Sequence, residues 1–399
     1  MVGVAGAALA AGAPHGDGTL WARAESAPVS QPVALPVLQP GDQPADEPAT
    51  PAPAVDPQPE PAVGTPDDKT RGAENNALAG EMTDGMEVAV ARGLRWLASK
   101  QNNDGSFGDQ RQWGPSVAIT SLSGLAFMAD GHLPERGAYG DSVSRALDYV
   151  LRNCADSGLI SSDSGPAPMY GHGFGALFLG EVYGMSAGGG ETAQSQRLHE
   201  ALVRASRLIS GCQNDEGGWR YYPVPNDADT SVTICQIMAL RSARNAGLDV
   251  SKDVIEKAVA YVKRCQNDDG GFRYQQQQPP SAWERSAAGV ASLQYAGVYD
   301  DAAVREGLKY VARYGSPLRM SGNSTARHFF YGHYYAVQAM YLAGGESWAN
   351  WWPVIRDELR SRQKPDGSWD DNQVGSHYGT AMALIILQMP KRYLPIFQR

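Results

Sequence analysis

The chain lacks the features that mark several common classes. Its 399 residues carry a net charge of −9, with no basic patch, Arg-rich helix or nucleic-acid motif, which argues against nucleic-acid binding. It has only four cysteines, Cys154, Cys212, Cys235 and Cys265, and none forms a CxxC pair or other zinc-ribbon spacing. Three of them, Cys154, Cys212 and Cys265, are expected at equivalent places near helix ends, as small half-buried residues. Beyond the first 13 residues no apolar run is long and uninterrupted enough to cross a bilayer.

What is present is unevenly distributed. Residues 1–70 hold 13 of the 26 prolines, and nine acidic against two basic residues, a balance of −7 out of −9. The acidic charge therefore belongs to this stretch and not to the remainder. Residues 17–75 are rich in Pro, Ala, Asp, Glu and Gln and poor in aromatics, too little apolar surface to offset the entropy of ordering. Residues 1–80 are expected to be an apolar start followed by a disordered acidic linker, and 81–399 the folded part. The first 13 residues are small and apolar but lack a Lys/Arg-containing start. They read equally as the remnant of a signal or anchor and as a low-complexity start. With the long spacer behind them, they point to an exported or membrane-tethered protein, with the cytoplasm as the alternative.

Self-comparison is the most informative step. Four segments share one pattern, Gln-x-x-Asp/Glu-Gly-Ser/Gly-aromatic, beginning at Gln101, Gln213, Gln266 and Gln363 and ending at Phe107, Trp219, Phe272 and Trp369. The steps of 112, 53 and 97 residues leave room for two hidden copies. One is expected at 153–159, with Asn153 in the Gln position and Leu159 in the aromatic one; the other, decayed, near 314–320. Each of the six units of roughly 50 residues starts with an amphipathic helix. These are expected at 86–100 (with Val88, Val90, Leu94 and Leu97 apolar), 142–152, 197–210, 252–264, 301–313 and 352–362. The turn follows, where Asp-Gly ends the helix. A second, less charged helix comes next, at 116–129, 173–183, 230–246, 285–296, 333–342 and 378–388. Six such hairpins, with no β-run, close into an all-α ring of inner helices surrounded by outer ones. The turn's Gln is expected to bond backbone at a helix end, and its aromatic to pack on the neighbouring hairpin.

These turns resemble the QW motifs of squalene and oxidosqualene cyclases and the repeats in the β subunits of protein prenyltransferases. The resemblance covers all six units, about three quarters of the chain. It implies an (α/α)6 toroid of the terpene cyclase and protein prenyltransferase superfamily, with a central cavity that accepts an isoprenoid or other apolar small molecule. It does not select the chemistry, because one barrel hosts several.

Every outer-to-inner turn lies at one end of the ring, so residues at the start of the inner helices are expected at one mouth. These are Trp113, Tyr170, His172, Asp227, Asp229, Thr230, Trp283, Glu284, Arg285, Tyr331, His333, His377 and Tyr378. Within them Asp227-Ala-Asp229-Thr230-Ser231 resembles the DxDD acid motif of class II terpene cyclases. It keeps the first and central Asp and has Thr230 in place of the third carboxylate. The resemblance implies Asp229 as general acid, assisted by Asp227, with His172, His333 or Arg285 as neighbours that poise its proton. Asp229-Thr230 is equally a good helix N-cap. Tyr170, His172, Trp283, Glu284, Arg285, Tyr331 and Tyr378 are the substrate-binding candidates.

Protein prenyltransferases hold zinc with Asp, Cys and His. Here Tyr331 and His333 stand in the Asp and Cys positions and His377 in that of the His, so only one ligand type is kept. His333 and His377 remain metal-ligand candidates, and no cofactor is required. Asp229 with Glu284 beside Arg285 also offers paired carboxylates for glycan chemistry. Squalene-type cyclases resemble two fused barrels, whereas this chain has one. The leading expectation is an enzyme acting on a polyisoprenoid, either a cyclase-like isomerase or a prenyltransferase-like transferase. The alternatives are a non-catalytic lipid- or protein-binding toroid, associated with a membrane surface, and a glycan-active enzyme. Oligomeric state is left open.

Overall fold

A computed structural model describes residues 80–108, 114–162, 167–186, 192–316 and 328–398. The expected acidic linker, most of the decayed fifth turn and Trp113 lie outside them. The described residues form twelve α-helices and no β-strand. In chain order these are α1 (Asp84–Ser99), α2 (Val117–Met128), α3 (Gly140–Arg152), α4 (Pro168–Ser186), α5 (Ala193–Gly211) and α6 (Thr230–Asn245). They continue with α7 (Lys252–Arg264), α8 (Trp283–Tyr295), α9 (Ala302–Tyr314), α10 (Phe329–Ala343), α11 (Gly345–Arg362) and α12 (Ser376–Leu387). None is long and apolar enough to cross a membrane.

The even-numbered helices touch in the cycle α2–α4–α6–α8–α10–α12 and back to α2. They are therefore the inner ring, and the fold is an (α/α)6 toroid. Burial follows from this placement. Every residue of α2 is buried, and apolar side chains cover its whole circumference. The outer helix α3 buries one face, Val143, Ala146, Leu147 and Val150, and sets Asp141, Asp148 and Arg152 outside it.

The repeated turn explains the ring. Each turn Gln spends its amide nitrogen on two carbonyls. Gln213 Nε2 donates to Gly217 O (2.9 Å) in its own turn and to Val254 O (2.8 Å) in the next outer helix. Gln101 pairs in the same way with Gly105 and Ser142, and Gln266 with Gly270 and Ala303. Gln363 closes the circle by bonding Gly367 and Ala89 of α1. The turn glycine has left-handed φ, +93° at Gly217. A Cβ there would stand 2.2 Å from Lys257 O of α7, so glycine both ends one helix and admits the next unit's backbone. The turn aromatic is anchored in its own hairpin, Trp219 and Trp369 donating their indole N–H to Ile209 O and Leu359 O, both at 2.7 Å, and Trp369 also packs against Gly93 of α1 in the neighbouring unit, as expected.

Several local expectations are corrected. In the second unit the register is one residue later. Ala155 N bonds Leu159 O and Gly158 carries the left-handed φ, so Cys154 holds the Gln position and Ile160 the aromatic one. Cys154 is therefore offset from Cys212 and Cys265, which cap α5 and α7. Val88 is 59% exposed; the buried stripe of α1 is Met86, Val90, Leu94 and Leu97, spaced by three and four. Helix α11 begins at Gly345, not 352, and runs through Pro353. Trp348 and Trp352 stack 5.0 Å apart on it and are buried, and that packing holds the turn before the proline in the helix.

The end of the ring opposite the repeated turns is crossed by the C-terminal segment. Two 3₁₀ turns, Met389–Lys391 and Pro395–Phe397, lie against it. Glu181 of α4, 1% exposed, accepts from Ser242 Oγ (2.7 Å) and from Ile396 N (3.0 Å). Lys391 pairs with Asp130, and Gln388 Nε2 bonds Ala126 O (2.9 Å).

Candidate functional site

Asp229 is the N-cap of α6. Its Oδ1 accepts from Ser231 N (2.8 Å) and Val232 N (2.9 Å), and its backbone N bonds Trp219 O (3.0 Å). Thr230 is tied to the next turn, N to Tyr274 O (2.9 Å) and Oγ1 to Arg273 O (2.9 Å). The carboxylate is thus fixed between the third and fourth turns. Capping consumes one oxygen. The other, Oδ2, receives Tyr274 Oη at 3.3 Å and lies 3.7 Å from Arg220 Nε.

This second oxygen is sealed from water. Asp229 is fully buried, Tyr274 is 2% exposed, and the Tyr221 and Tyr274 hydroxyls are hydrogen-bonded to each other. Arg220 lies over both rings, 5.0 and 5.7 Å from their centres, and pairs outward with exposed Asp227. Burial pushes the Asp229 carboxyl up to about 6; the two amides, Arg220 and Tyr274 oppose it. The same carboxylate helps burial hold the phenols of Tyr170, Tyr221 and Tyr274 protonated.

Around Asp229 the inner helices supply a tyrosine cluster. The Tyr170 ring is 6.1 Å from Tyr221, and Tyr331 is 5.0 Å from Tyr335, whose hydroxyl meets Cys235 Sγ at 3.5 Å. The hydroxyl of Tyr170 is buried with no hydrogen-bond partner, and Ser231 stands beside the Tyr331 hydroxyl. Burial pushes the Cys235 thiol up to about 12, so it is inert as a nucleophile. Burial, then Asp371 and Tyr331, raise Tyr378; burial also raises Glu284.

The other expected residues point elsewhere. His172 stands at a position where other units place Thr or Ser. Its Nδ1 accepts from Ile160 N (3.1 Å), as Thr233 Oγ1 accepts from Trp219 N and Ser286 Oγ from Phe272 N. Burial holds it down to about 4, so it is neutral. His333 lies among Phe329 (4.4 Å), Trp283 (4.9 Å) and Trp351 of outer helix α11 (5.8 Å). It faces outward, and burial with Arg362 nearby holds it down to about 3. His377 Nδ1 accepts from Gly108 N (2.9 Å), and its ring meets Trp96 and Phe107. The two histidines occupy different aromatic settings and do not converge. Among the described residues no three His, Cys, Asp or Glu side chains are grouped to hold a metal. Trp283 packs over Gly332, and Arg285 has an interaction with Tyr310 of α9, so neither joins Asp229.

Arg220, Tyr221 and Tyr274 were not evident from motif matching. The repeat did carry a signal: Tyr221 and Tyr274 each stand two residues after the turn aromatic. In the other described units that position holds Ser162, which accepts from Val117 N, and Asp371, which accepts from Gln373 N and Val374 N.

Residues 195–316 match the family described as prenyltransferase alpha-alpha toroid domain. No curated protein matches the chain in sequence. Type II terpene cyclase MstE from Scytonema, solved with geranylgeranyl dihydroxybenzoate, superposes with a TM-score of 0.50 at 13% identity, over 78% of this chain and 98% of its own. An alpha-1,6-mannanase from a Salegentibacter species, solved with alpha-1,6-mannotriose, gives 0.55 at 8% identity over 76% and 98%. D-mannose isomerase gives 0.55 at 11% over 78% and 98%. At such identities these likenesses establish the (α/α)6 fold and nothing finer. The closed ring, the repeated Gln–Gly turns and the match over residues 195–316 make the chain an (α/α)6 toroid similar to the terpene cyclase/protein prenyltransferase-like proteins.

Proposed function

We propose that the toroid binds a polyisoprenoid at the Asp229 end of the ring and that Asp229 is the proton donor of a cyclase-like isomerisation. The observation that carries this is the divided role of one carboxyl group. Oδ1 caps α6, while Oδ2 is left for a proton in a water-free, tyrosine-lined setting. An alkene is a poor base, so its acid must be both protonated and desolvated. A carboxyl pushed up to about 6 keeps its proton over mildly acidic pH. The neighbouring phenol faces suit developing positive charge. Arg220 and Asp227 position the donor without touching the reacting carbon. The structural likeness to MstE, solved with geranylgeranyl dihydroxybenzoate, supports an isoprenoid as the ligand.

Asn at 229 retains the Oδ1 acceptor, so Asp229→Asn separates acid from cap. Full-length protein is incubated with geranylgeranyl-bearing substrates and squalene, and products of unchanged mass but altered retention are sought. Expected are product with wild type, none with Asp229→Asn, and a melting temperature for the variant no lower than that of wild type, because Asn keeps the cap and removes a charge that burial disfavours. A non-catalytic lipid-binding toroid is the second reading, favoured by the dense tyrosine packing around Asp229. It predicts co-purifying prenyl lipid and no product from either protein. Absence of both lipid and product overturns the isoprenoid assignment itself.

A further inference from the structure

An acid that gives its proton to a substrate must recover one before it can act again. Asp229 is fully buried, so water does not reach it directly. Its carboxyl group has few polar neighbours. Oδ1 is held by the backbone amides of Ser231 and Val232, which are far too weakly acidic to supply a proton. Oδ2 lies 3.7 Å from Arg220 Nε and 3.3 Å from Tyr274 Oη. A guanidinium does not give up its proton in a protein. Among the described residues, the Tyr274 hydroxyl is therefore the one group bonded to Oδ2 that can pass a proton to it.

The hydroxyls behind it are lined up. A phenol has a single hydrogen to donate. Tyr274 spends its own on Asp229 Oδ2, so in the bond between the two phenols Tyr221 is the donor. The hydrogens thus point inward, from Tyr221 to Tyr274 to Asp229. Burial falls off in the opposite direction. Asp229 is 0% and Tyr274 2% exposed, whereas Tyr221 is half-buried and stands beside Arg220, whose partner Asp227 is in solvent. Both tyrosine backbones are pinned: Tyr221 O accepts from Met169 N (3.1 Å) and Tyr274 O from Thr230 N (2.9 Å). Phenylalanine at both positions would pack and carry the Arg220 guanidinium equally well. What the two hydroxyls add is a continuous hydrogen-bonded chain, in a dry setting where such bonds polarise one another.

We propose that Tyr221 and Tyr274 form a proton relay that reloads Asp229 from solvent. A hydronium proton bonds to Tyr221 Oη as the Tyr221 hydrogen moves to Tyr274 Oη and the Tyr274 hydrogen moves to Asp229 Oδ2. Three O–H bonds form and three break, the carboxylate is neutralised, and both phenols end uncharged. Rotation about the two C–O bonds turns the hydrogens inward again. Burial and the Asp229 charge disfavour a phenolate at either tyrosine, so the shifts are concerted. The tyrosines act through Asp229 and touch no substrate. Their use in turnover rests on the reading of Asp229 as proton donor, but the path itself can be tested without a substrate.

The test is infrared spectroscopy of the full-length protein at pH 5, where a carboxyl pushed up to about 6 holds its proton. The carbonyl stretch of protonated Asp229 is the band that Asp229→Asn lacks. Rapid mixing from H2O into D2O shifts this band as the Asp229 hydrogen exchanges. Expected is exchange at least five-fold slower in Tyr274→Phe and in Tyr221→Phe, and within two-fold of wild type in Tyr310→Phe, a tyrosine of α9 outside the chain. The sign separates a relay from packing, because removing a hydroxyl that merely seals the site loosens it and speeds exchange. Exchange in either Tyr221→Phe or Tyr274→Phe that is faster than wild type or within two-fold of it overturns the relay and leaves the donor reading standing. Equal slowing by Tyr310→Phe also overturns it. If wild type and Asp229→Asn share one carbonyl spectrum, Asp229 holds no proton, and the donor reading falls together with the relay.

Discussion

Glu181 at the far end of the ring makes the sharpest thermodynamic prediction. Burial pushes its carboxyl up to about 7 from an ordinary 4.5, with the Ile396 amide and Ser242 hydroxyl opposing. A carboxyl whose folded pKa is raised takes up a proton on folding. Its contribution is therefore fully present below pH 4.5 and is lost as pH rises through 7, after which it is flat. A displacement of about 2.5 pH units corresponds to about 3 kcal/mol. The protonated acid is well accommodated: one oxygen accepts from Ile396 N, and the hydroxyl can donate to Ser242, which turns to Leu177 O at 3.3 Å. Glutamine reproduces that arrangement, with its oxygen toward Ile396 and its amide toward Ser242. Glu181→Gln should match wild type near pH 4 and exceed it by about 3 kcal/mol at pH 8. The assay is urea unfolding of both proteins at the two pH values, read as the difference between variant and wild type so that other titrating groups cancel. A difference that is the same at pH 4 and pH 8 refutes the reasoning, because the carboxyl would then not be exchanging a proton with folding.

Two further outcomes follow from the turns and the buried histidines. Gly217→Ala combines a left-handed φ with a Cβ at 2.2 Å from Lys257 O, a backbone atom that cannot move aside. It should cost at least about 3 kcal/mol in urea unfolding or prevent folding altogether, whereas Gly247→Ala, with the same φ and open space, should cost about 1 kcal/mol. His333 is held down to about 3, so its contribution is present above pH 6.5 and is lost as pH falls toward 3. His333→Phe fits the aromatic surroundings and should shrink the drop in melting temperature between pH 7 and pH 4.

The fold was legible because each letter of the turn does a separate structural task. Gln213 ties two carbonyls, Gly217 admits Lys257, and Trp219 anchors to Ile209. Where a letter is replaced the register slips from view: Cys154 in the Gln position made Asn153 look like the match. The end of the ring was legible too, since topology puts every inner-helix start there. The side of the helix was not. Successive residues turn by 100°, so Tyr331 joins the tyrosine cluster while His333, two residues on, faces Trp351. His172 was misleading for a related reason, because an imidazole replaces the hydroxyl that other units use to hold the turn. Arg220 carries no motif and acts only because Asp229, nine residues later, folds back to it.

Ring closure has a consequence that no linear array of hairpins shares. The seam joins residues 272–274 apart in sequence. Gln363 bonds Ala89 at 2.8 Å, and Arg92 reaches Lys364 O at 3.1 Å and Pro365 O at 2.7 Å. An internal clamp such as Gln266 to Ala303 spans 37. Locally the two clamps are equivalent, each worth about 0.5–1.5 kcal/mol per hydrogen bond. Opened at an internal clamp, the ring keeps its neighbours joined by the chain itself. At the seam no chain connects the units, and α1 is held to the last unit only by noncovalent contacts with α11 and α12 and by clamps such as Gln363 and Arg92. Gln363→Ala and Gln266→Ala should therefore lower global stability by similar amounts but differ in where the structure opens. Native-state hydrogen exchange should speed up selectively in 84–99 for Gln363→Ala, and remain near wild type there for Gln266→Ala. Equal exchange in 84–99 for both variants would mean that the Gln363 clamp contributes no more at the seam than any other turn clamp does.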